Sequence, residues 1–258
     1  MLFLLVAIGS LILSSCLTIE EKITLKADGS GVHASTIDFG SVLDNPLIKM
    51  GLEEELKKQG QADFSENVDS TFRPIDELLE MNPQWTDAEK ELLGRIEGHI
   101  VMNFEEGEGY VTTTFPFNNV SEVNEMQKLM ENANKKEGSD AGNPFSGLSG
   151  SEFFTTVLTM KGTKLVRTTT ANPDFVNPLG GEDLGEEGME MVKMMFGEAV
   201  VAYTVEFPGE VKKVKGFPGH DVEGAQGNVV TQYFDFMDML ERPEIVAAGL
   251  TGEVKFKK

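Results

Sequence analysis

The chain has 258 residues and a formal net charge of −21, with 22 lysines and arginines against 43 acids. A surface of that sign is repelled by nucleic-acid phosphates and by anionic lipid headgroups, so nucleic acid is excluded as a partner and no basic patch is expected to reach a bilayer. Apolar residues make up 40 % of the chain, which suits a packed core and argues against general disorder.

The chain opens on an apolar run, Leu2 to Leu13, that closes in Leu13-Ser14-Ser15-Cys16. The run is too short to span a hydrocarbon core of about 30 Å as a helix. It resembles the lipobox of bacterial lipoproteins: an aliphatic residue, two small residues that let a peptidase approach the backbone, then a cysteine. That resemblance implies that residues 1–15 are a removed signal peptide and that Cys16 carries fatty acyl (palmitate-type) chains. Such chains hold the remainder, 16–258, to a membrane at about 0.8 kcal/mol per buried CH₂. The other reading is a buried N-terminal helix with an incidental cysteine. A basic residue is expected at the start of a signal peptide, and Met1-Leu2-Phe3-Leu4 has none. Cys16 is the sole cysteine, so no disulfide forms within the chain.

After Cys16 the strand signals come in pairs. Ile19 to Lys26 alternates apolar and polar residues, Asp28-Gly29-Ser30-Gly31 reads as a turn, and Val32 to Phe39 returns. Asn45 and Pro46 open a helix with Ile48, Leu52 and Leu56 on one face. Pro74 opens another through Met81, and Thr86-Asp87-Ala88-Glu89 is a capping box for a helix through Leu93. A second hairpin joins His99–Phe104 to Tyr110–Phe117 across a glycine turn. Val123, Met126, Leu129 and Met130 mark a helix over about 121–134. The stretch 132–151 reads as a loop and a possible subdivision of the domain.

A third hairpin joins Phe153–Met160 to Lys164–Thr170, and Ala171 to Gly188 reads as a loop. A fourth pairing joins Ala199–Phe207 to Asn228–Phe236 across a long glycine-rich connection, and a short helix spans about 237–241. The returning strands end alike, in Ile37-Asp38-Phe39, Phe115-Pro116-Phe117 and Phe234-Asp235-Phe236, each before a helix signal, which suggests a repeated hairpin-then-helix unit. These elements predict an α+β fold: antiparallel β-hairpins forming one or two sheets with helices packed on one face.

Candidate chemistry is sparse. His33, His99 and His220 lie at no metal-ligand spacing, no metal or cofactor is implied, and no zinc, nucleophile-elbow or phosphate-loop motif occurs. His33 and His99 fall in strands, where a half-exposed role is usual. His220-Asp221, in a glycine-rich loop, is the pair that an envelope hydrolase would use. Met191, Met194, Met195 and Phe196 cluster in a segment whose charged residues are Glu190 and Lys193. Methionine lines adaptable apolar grooves, so these four are the candidate contacts for a hydrophobic ligand, a lipid or a partner helix; a buried helix packed on the sheet is the preferred reading of the same residues.

Val205-Glu206-Phe207-Pro208-Gly209-Glu210-Val211 leads through a loop to Gly227-Asn228-Val229-Val230-Thr231. These two strand ends, with the first hairpin, resemble LppM-like bacterial envelope lipoproteins over about a quarter of the chain. The middle of the chain does not match, and no C-terminal transmembrane helix is present. The resemblance implies an α+β envelope lipoprotein that binds lipid or an envelope protein, and it supplies no catalytic residues. The expected function is a lipid-anchored, non-enzymatic binding or structural module, placed at the outer membrane if the host has two membranes, because Leu17 stands where an inner-membrane retention aspartate would be.

Overall fold

The computed structural model describes residues 17–43, 67–75, 84–103, 106–136, 154–172, 197, 199–216 and 222–257. Twelve strands form two sheets among these residues. The larger sheet holds β1 (Thr18–Leu25), β2 (Gly31–Asp38), β3 (Val68–Phe72), β4 (Glu97–Asn103), β5 (Glu108–Phe117), β8 (Val200–Glu206), β10 (Val222–Gln226) and β11 (Val229–Asp235), in the order β10-β11-β8-β1-β2-β5-β4-β3. The smaller holds β6 (Phe154–Lys161), β7 (Lys164–Ala171), β9 (Val211–Gly216) and β12 (Gly252–Phe256), in the order β6-β7-β12-β9. Five helices accompany them: α1 (Gly40–Leu43), α2 (Asp87–Leu93), α3 (Val120–Lys136), α4 (Phe236–Glu241) and α5 (Pro243–Gly249).

The α+β class and the predicted hairpins are therefore present. β1–β2, β4–β5 and β6–β7 pair as antiparallel neighbours, and β8 pairs with β11. One pairing is parallel: β1 lies beside β8, Glu21 opposite Tyr203. The long connection between β8 and β11 holds two further strands, β9 and β10, and α5, β3 and β12 also lie outside the elements read from sequence. A helix follows each of the three Phe-terminated returning strands. The helix expected from Pro74 begins at Pro74 and Ile75, with Ile75 buried, and its remainder falls on residues outside those described, as do the helix expected from Asn45, Cys16, Met191, Met194, Met195, Phe196, His220 and Asp221.

Period-2 burial fixes which face of the large sheet is inside. Ile19, Ile23 and Leu25 on β1, Phe115 and Phe117 on β5, and Val201 on β8 are all buried. The small sheet covers part of this face with Leu158, Leu165, Val254 and Phe256, while α2 and α3 contribute Leu92, Leu93, Val120 and Val123. At the other end of β1, α4 and α5 bring Phe236, Met239, Val246 and Leu250 against Leu17, Ile19 and Phe234. Each fully buried side chain of this size contributes about 1.5–3 kcal/mol.

Polar contacts pin the layers at their edges. Asn124 of α3 donates to the carbonyl of Leu158 at 2.9 Å and accepts from its N–H at 2.8 Å, closing the free edge of β6. The predicted capping box of α2 is made: Glu89 N–H donates to Thr86 Oγ1 at 3.3 Å and Thr86 N–H to Glu89 Oε2 at 2.7 Å.

The Phe-Pro-Gly and Gly-Asn motifs acquire a physical role. They form the corner at which the chain leaves the large sheet for the small one. Asn228 donates its amide to the Phe207 carbonyl at 2.9 Å, Phe207 N–H donates to the Asn228 carbonyl at 2.8 Å, and Val211 N–H to the Gly227 carbonyl at 2.8 Å. Gly209 admits the backbone of β12's end, because a Cβ there would lie 2.4 Å from the Lys257 carbonyl.

In the first turn, Asp28 accepts from Ser30 N–H at 3.0 Å and from its hydroxyl at 2.7 Å, which is turn chemistry rather than a calcium loop. Gly29 takes φ +91° with open space around it, whereas a Cβ on Gly31 would meet the Thr24 carbonyl at 2.1 Å and the Phe117 ring at 2.6 Å. Gly29→Ala should cost about 1 kcal/mol through backbone strain. Gly31→Ala should cost more, about 1–3 kcal/mol, because core and backbone must shift. Thermal unfolding of the two variants should rank Gly31→Ala as the less stable; the reverse order would contradict this packing.

Candidate functional site

Two features stand out among the described residues: a charged cluster sealed between the sheets, and a basic outer face on the small sheet. The cluster begins with strand parity. Positions 19, 21, 23 and 25 of β1 point inward, so Glu21 stands among Ile19, Ile23 and Leu25 with its side chain 13 % exposed. The same parity puts His33 of β2 and Tyr203 of β8 on that face, and Gln232 opposite Tyr203 on β11. A polar row thus crosses the middle of an apolar face. The small sheet answers it with Arg167 and Thr169 of β7, both buried.

The geometry is compact. His33 Nε2 lies 3.7 Å from Glu21 Oε2, and the Arg167 guanidinium sits 3.6 Å over the Tyr203 ring. Arg167 Nε donates to Thr169 Oγ1 at 3.2 Å, and Gln232 donates to the Gly249 carbonyl at 3.1 Å. Burial pushes the Glu21 carboxyl up, but His33, then the Arg167 charge, then the Tyr203 hydroxyl more than offset it, and Glu21 ends below the usual carboxylate range. Burial, and then the Glu21 charge beside it, drive the Tyr203 phenol well above its ordinary value. Arg167 Nη2 is buried with no hydrogen-bond partner among the described residues. Arg167 also lines a cavity of about 20 Å³ with Tyr203, Gln232, Ile23, Leu158 and Leu165. That volume holds about one water molecule.

This chemistry suits structure better than acid–base turnover. A general acid or base works best with a pKa near the working pH, and here the carboxyl is driven down and the phenol up. Sequence reading had placed His33 as half-exposed; the structure buries it, because it shares the inner face with Phe115, its cross-strand partner. His99 does sit partly exposed, 2.7 Å from Asp69 on the edge strand. The signal for Glu21, an acid at an apolar-parity position between Ile19 and Ile23, was present in the sequence.

The second feature is a basic patch that the net charge alone does not predict. The four strands of the small sheet carry six lysines and Arg167 against one acid, Glu253. Register aligns four of them: Lys161 opposite Lys164, Lys164 opposite Lys255, and Lys255 opposite Lys213. They point away from the core, since Leu165, Val254 and Phe256 alternate with them inward. Glu253 reaches Lys164 at 2.6 Å and Lys215 at 3.7 Å, which holds its carboxyl below the usual range.

No family model matches the chain, and no curated protein matches it. Among solved structures, the chain is similar to the NMR structure of the folded domain of the Mycobacterium tuberculosis LppM protein. The identity is 10 %, the TM-score 0.41, and the match covers 94 % of this chain and 91 % of that one. The likeness transfers no residue roles to this chain.

Two outcomes follow for the buried cluster. Arg167→Met should destabilise by about 1–3 kcal/mol, because Glu21 loses one of its compensating charges and the Tyr203 ring its guanidinium contact. Glu21 has a folded-state pKa below its unfolded value, so its contribution is complete above the ordinary carboxylate range and is lost as the pH falls through that range and below it. Unfolding midpoints measured against pH should therefore show a shallower acid loss in Glu21→Gln than in the parent chain. An unchanged acid slope would remove the Glu21 term.

Proposed function

We propose that the chain is a lipid-anchored envelope protein, tethered through Cys16, that acts as a non-enzymatic binding module and engages its partner by an exposed face rather than in a cleft. The observation that carries this reading is the contrast between the two features. The buried cluster borders a cavity of about 20 Å³, while the small sheet presents an open, concentrated basic face. The lipobox-like string supports the tether. Leu17 is 1 % exposed and β1 begins at Thr18, so the fold starts directly after the proposed anchor with no spacer.

A hydrolase using His220 and Asp221, or a hydrophobic-ligand site at Met191, Met194, Met195 and Phe196, would be built from residues outside those described. The binding reading is favoured because, in the buried cluster, the Glu21 carboxyl is held below its usual range and the Tyr203 phenol above its own, away from the values that suit general acid–base work. In a host with two membranes, Leu17 after the cysteine favours the outer one.

Cys16→Ala tests the tether. The variant should lose incorporation of a fatty-acid analogue and leave the detergent phase on partitioning, and membrane fractionation of the parent chain assigns the membrane. Continued labelling of Cys16→Ala would overturn the anchor.

A further inference from the structure

The lysine row on the small sheet sets like charges side by side with one carboxylate, Glu253, paired to it. Like charges directly opposite one another across strands are destabilising, and here four stand in one register line. Neighbouring strands lie about 4.8 Å apart, so the row spans roughly 14 Å across the sheet. Lys215 and Lys212 extend it along β9, and Lys212, Lys213, Lys215 and Lys255 are exposed or nearly so. Glu253 pairs with Lys164 and Lys215 and its charge also reaches Lys213; Lys161, Lys213 and Lys255 have no carboxylate within ion-pair distance among the described residues. Apart from these strands the chain is more acidic than its net charge of −21 suggests.

We infer that the outer face of the small sheet docks on the anionic headgroups of the leaflet that holds the tether. The inference rests on the tether proposed above. A domain this acidic, held at an anionic leaflet without a spacer, is repelled in most orientations. Turning the lysine row to the headgroups is an orientation in which the field of the described residues is attractive. The face suits a planar partner: it is a four-stranded sheet surface, and lysine stems can adjust their ammonium groups to headgroups that have no fixed register. A lipid chain plus a basic patch is also the combination that turns reversible membrane contact into stable attachment.

The test uses the full acylated chain in vesicles of phosphatidylcholine alone and of phosphatidylcholine mixed with phosphatidylglycerol. Lysines are acetylated briefly and the extent at each is read by mass spectrometry. Lys161, Lys213 and Lys255 should be labelled roughly tenfold more slowly on the anionic vesicles, with high salt abolishing the difference. Lys22, on the opposite face of the large sheet, and Lys90, on α2, should be labelled equally in both. A combined Lys161→Gln, Lys164→Gln, Lys213→Gln and Lys255→Gln variant should lose the protection of Lys212 and Lys215 and melt higher than the parent, since the like-charge row is gone.

Equal labelling of the face lysines in both lipids overturns the proposal. So does protection by inorganic phosphate at matched phosphorus, which would make the face a site for free phosphate. So does protection on phosphatidylcholine alone that grows with protein density, which would make the occupant a second copy. A chain that leaves the phosphatidylcholine vesicles altogether refutes the tether only, and labelling on the anionic vesicles still decides the docking.

Discussion

A charge buried in the middle of the sandwich organises this fold. Glu21 occupies the inward position of the central strand β1, with β2 on one side and the parallel β8 on the other. An ionised carboxylate in that place costs several kcal/mol unless it is compensated. Compensation comes from three directions: His33 from the next strand, the Tyr203 hydroxyl from the parallel neighbour, and the Arg167 charge from the opposite sheet. Arg167 therefore does more than fill space. It fixes which part of β7 lies over which part of β1, a registration that aliphatic packing between Leu165, Val254 and Ile23 leaves loose.

The same row divides the interior. On one side lies the cluster built on Ile23, Leu25, Phe115, Phe117 and Phe256, and on the other the cluster built on Leu17, Ile19, Val201, Phe234 and Leu250. The helices follow this division, with α2 and α3 serving the first and α4 and α5 the second. Among the described residues, the outer face of the small sheet is the one where the charge changes sign.

Much of the architecture was legible in sequence because it is local. The hairpins announced themselves by alternation and by Asp28-Gly29 and Lys161-Gly162-Thr163 turns, and α2 by its capping box. The strands that were missed are those whose pairing is distant. β9 is a run of lysines and valines with no turn signal of its own, and it becomes a strand because β12 pairs with it forty residues later in the chain. The parallel β1–β8 contact joins segments almost two hundred residues apart and leaves no trace in either one. Net charge misled for the same reason. Lys161, Lys164, Lys213 and Lys255 are scattered in sequence, and only sheet register gathers them. Glu21 was readable, since its parity was wrong for a solvated acid, and so in part was Arg167, which alternates with Leu165 and Thr169 on the inward face.

The dependence of the two sheets on the buried network is tested most directly by a double-mutant cycle on Glu21→Gln and Arg167→Met, measured by denaturant unfolding at neutral pH. These groups face each other from different sheets, so their effects should be strongly non-additive, with the double variant more stable than the sum of the single losses implies by about 1–3 kcal/mol. Additivity within a few tenths of a kcal/mol would contradict the coupling and would reduce Arg167 to a packing residue.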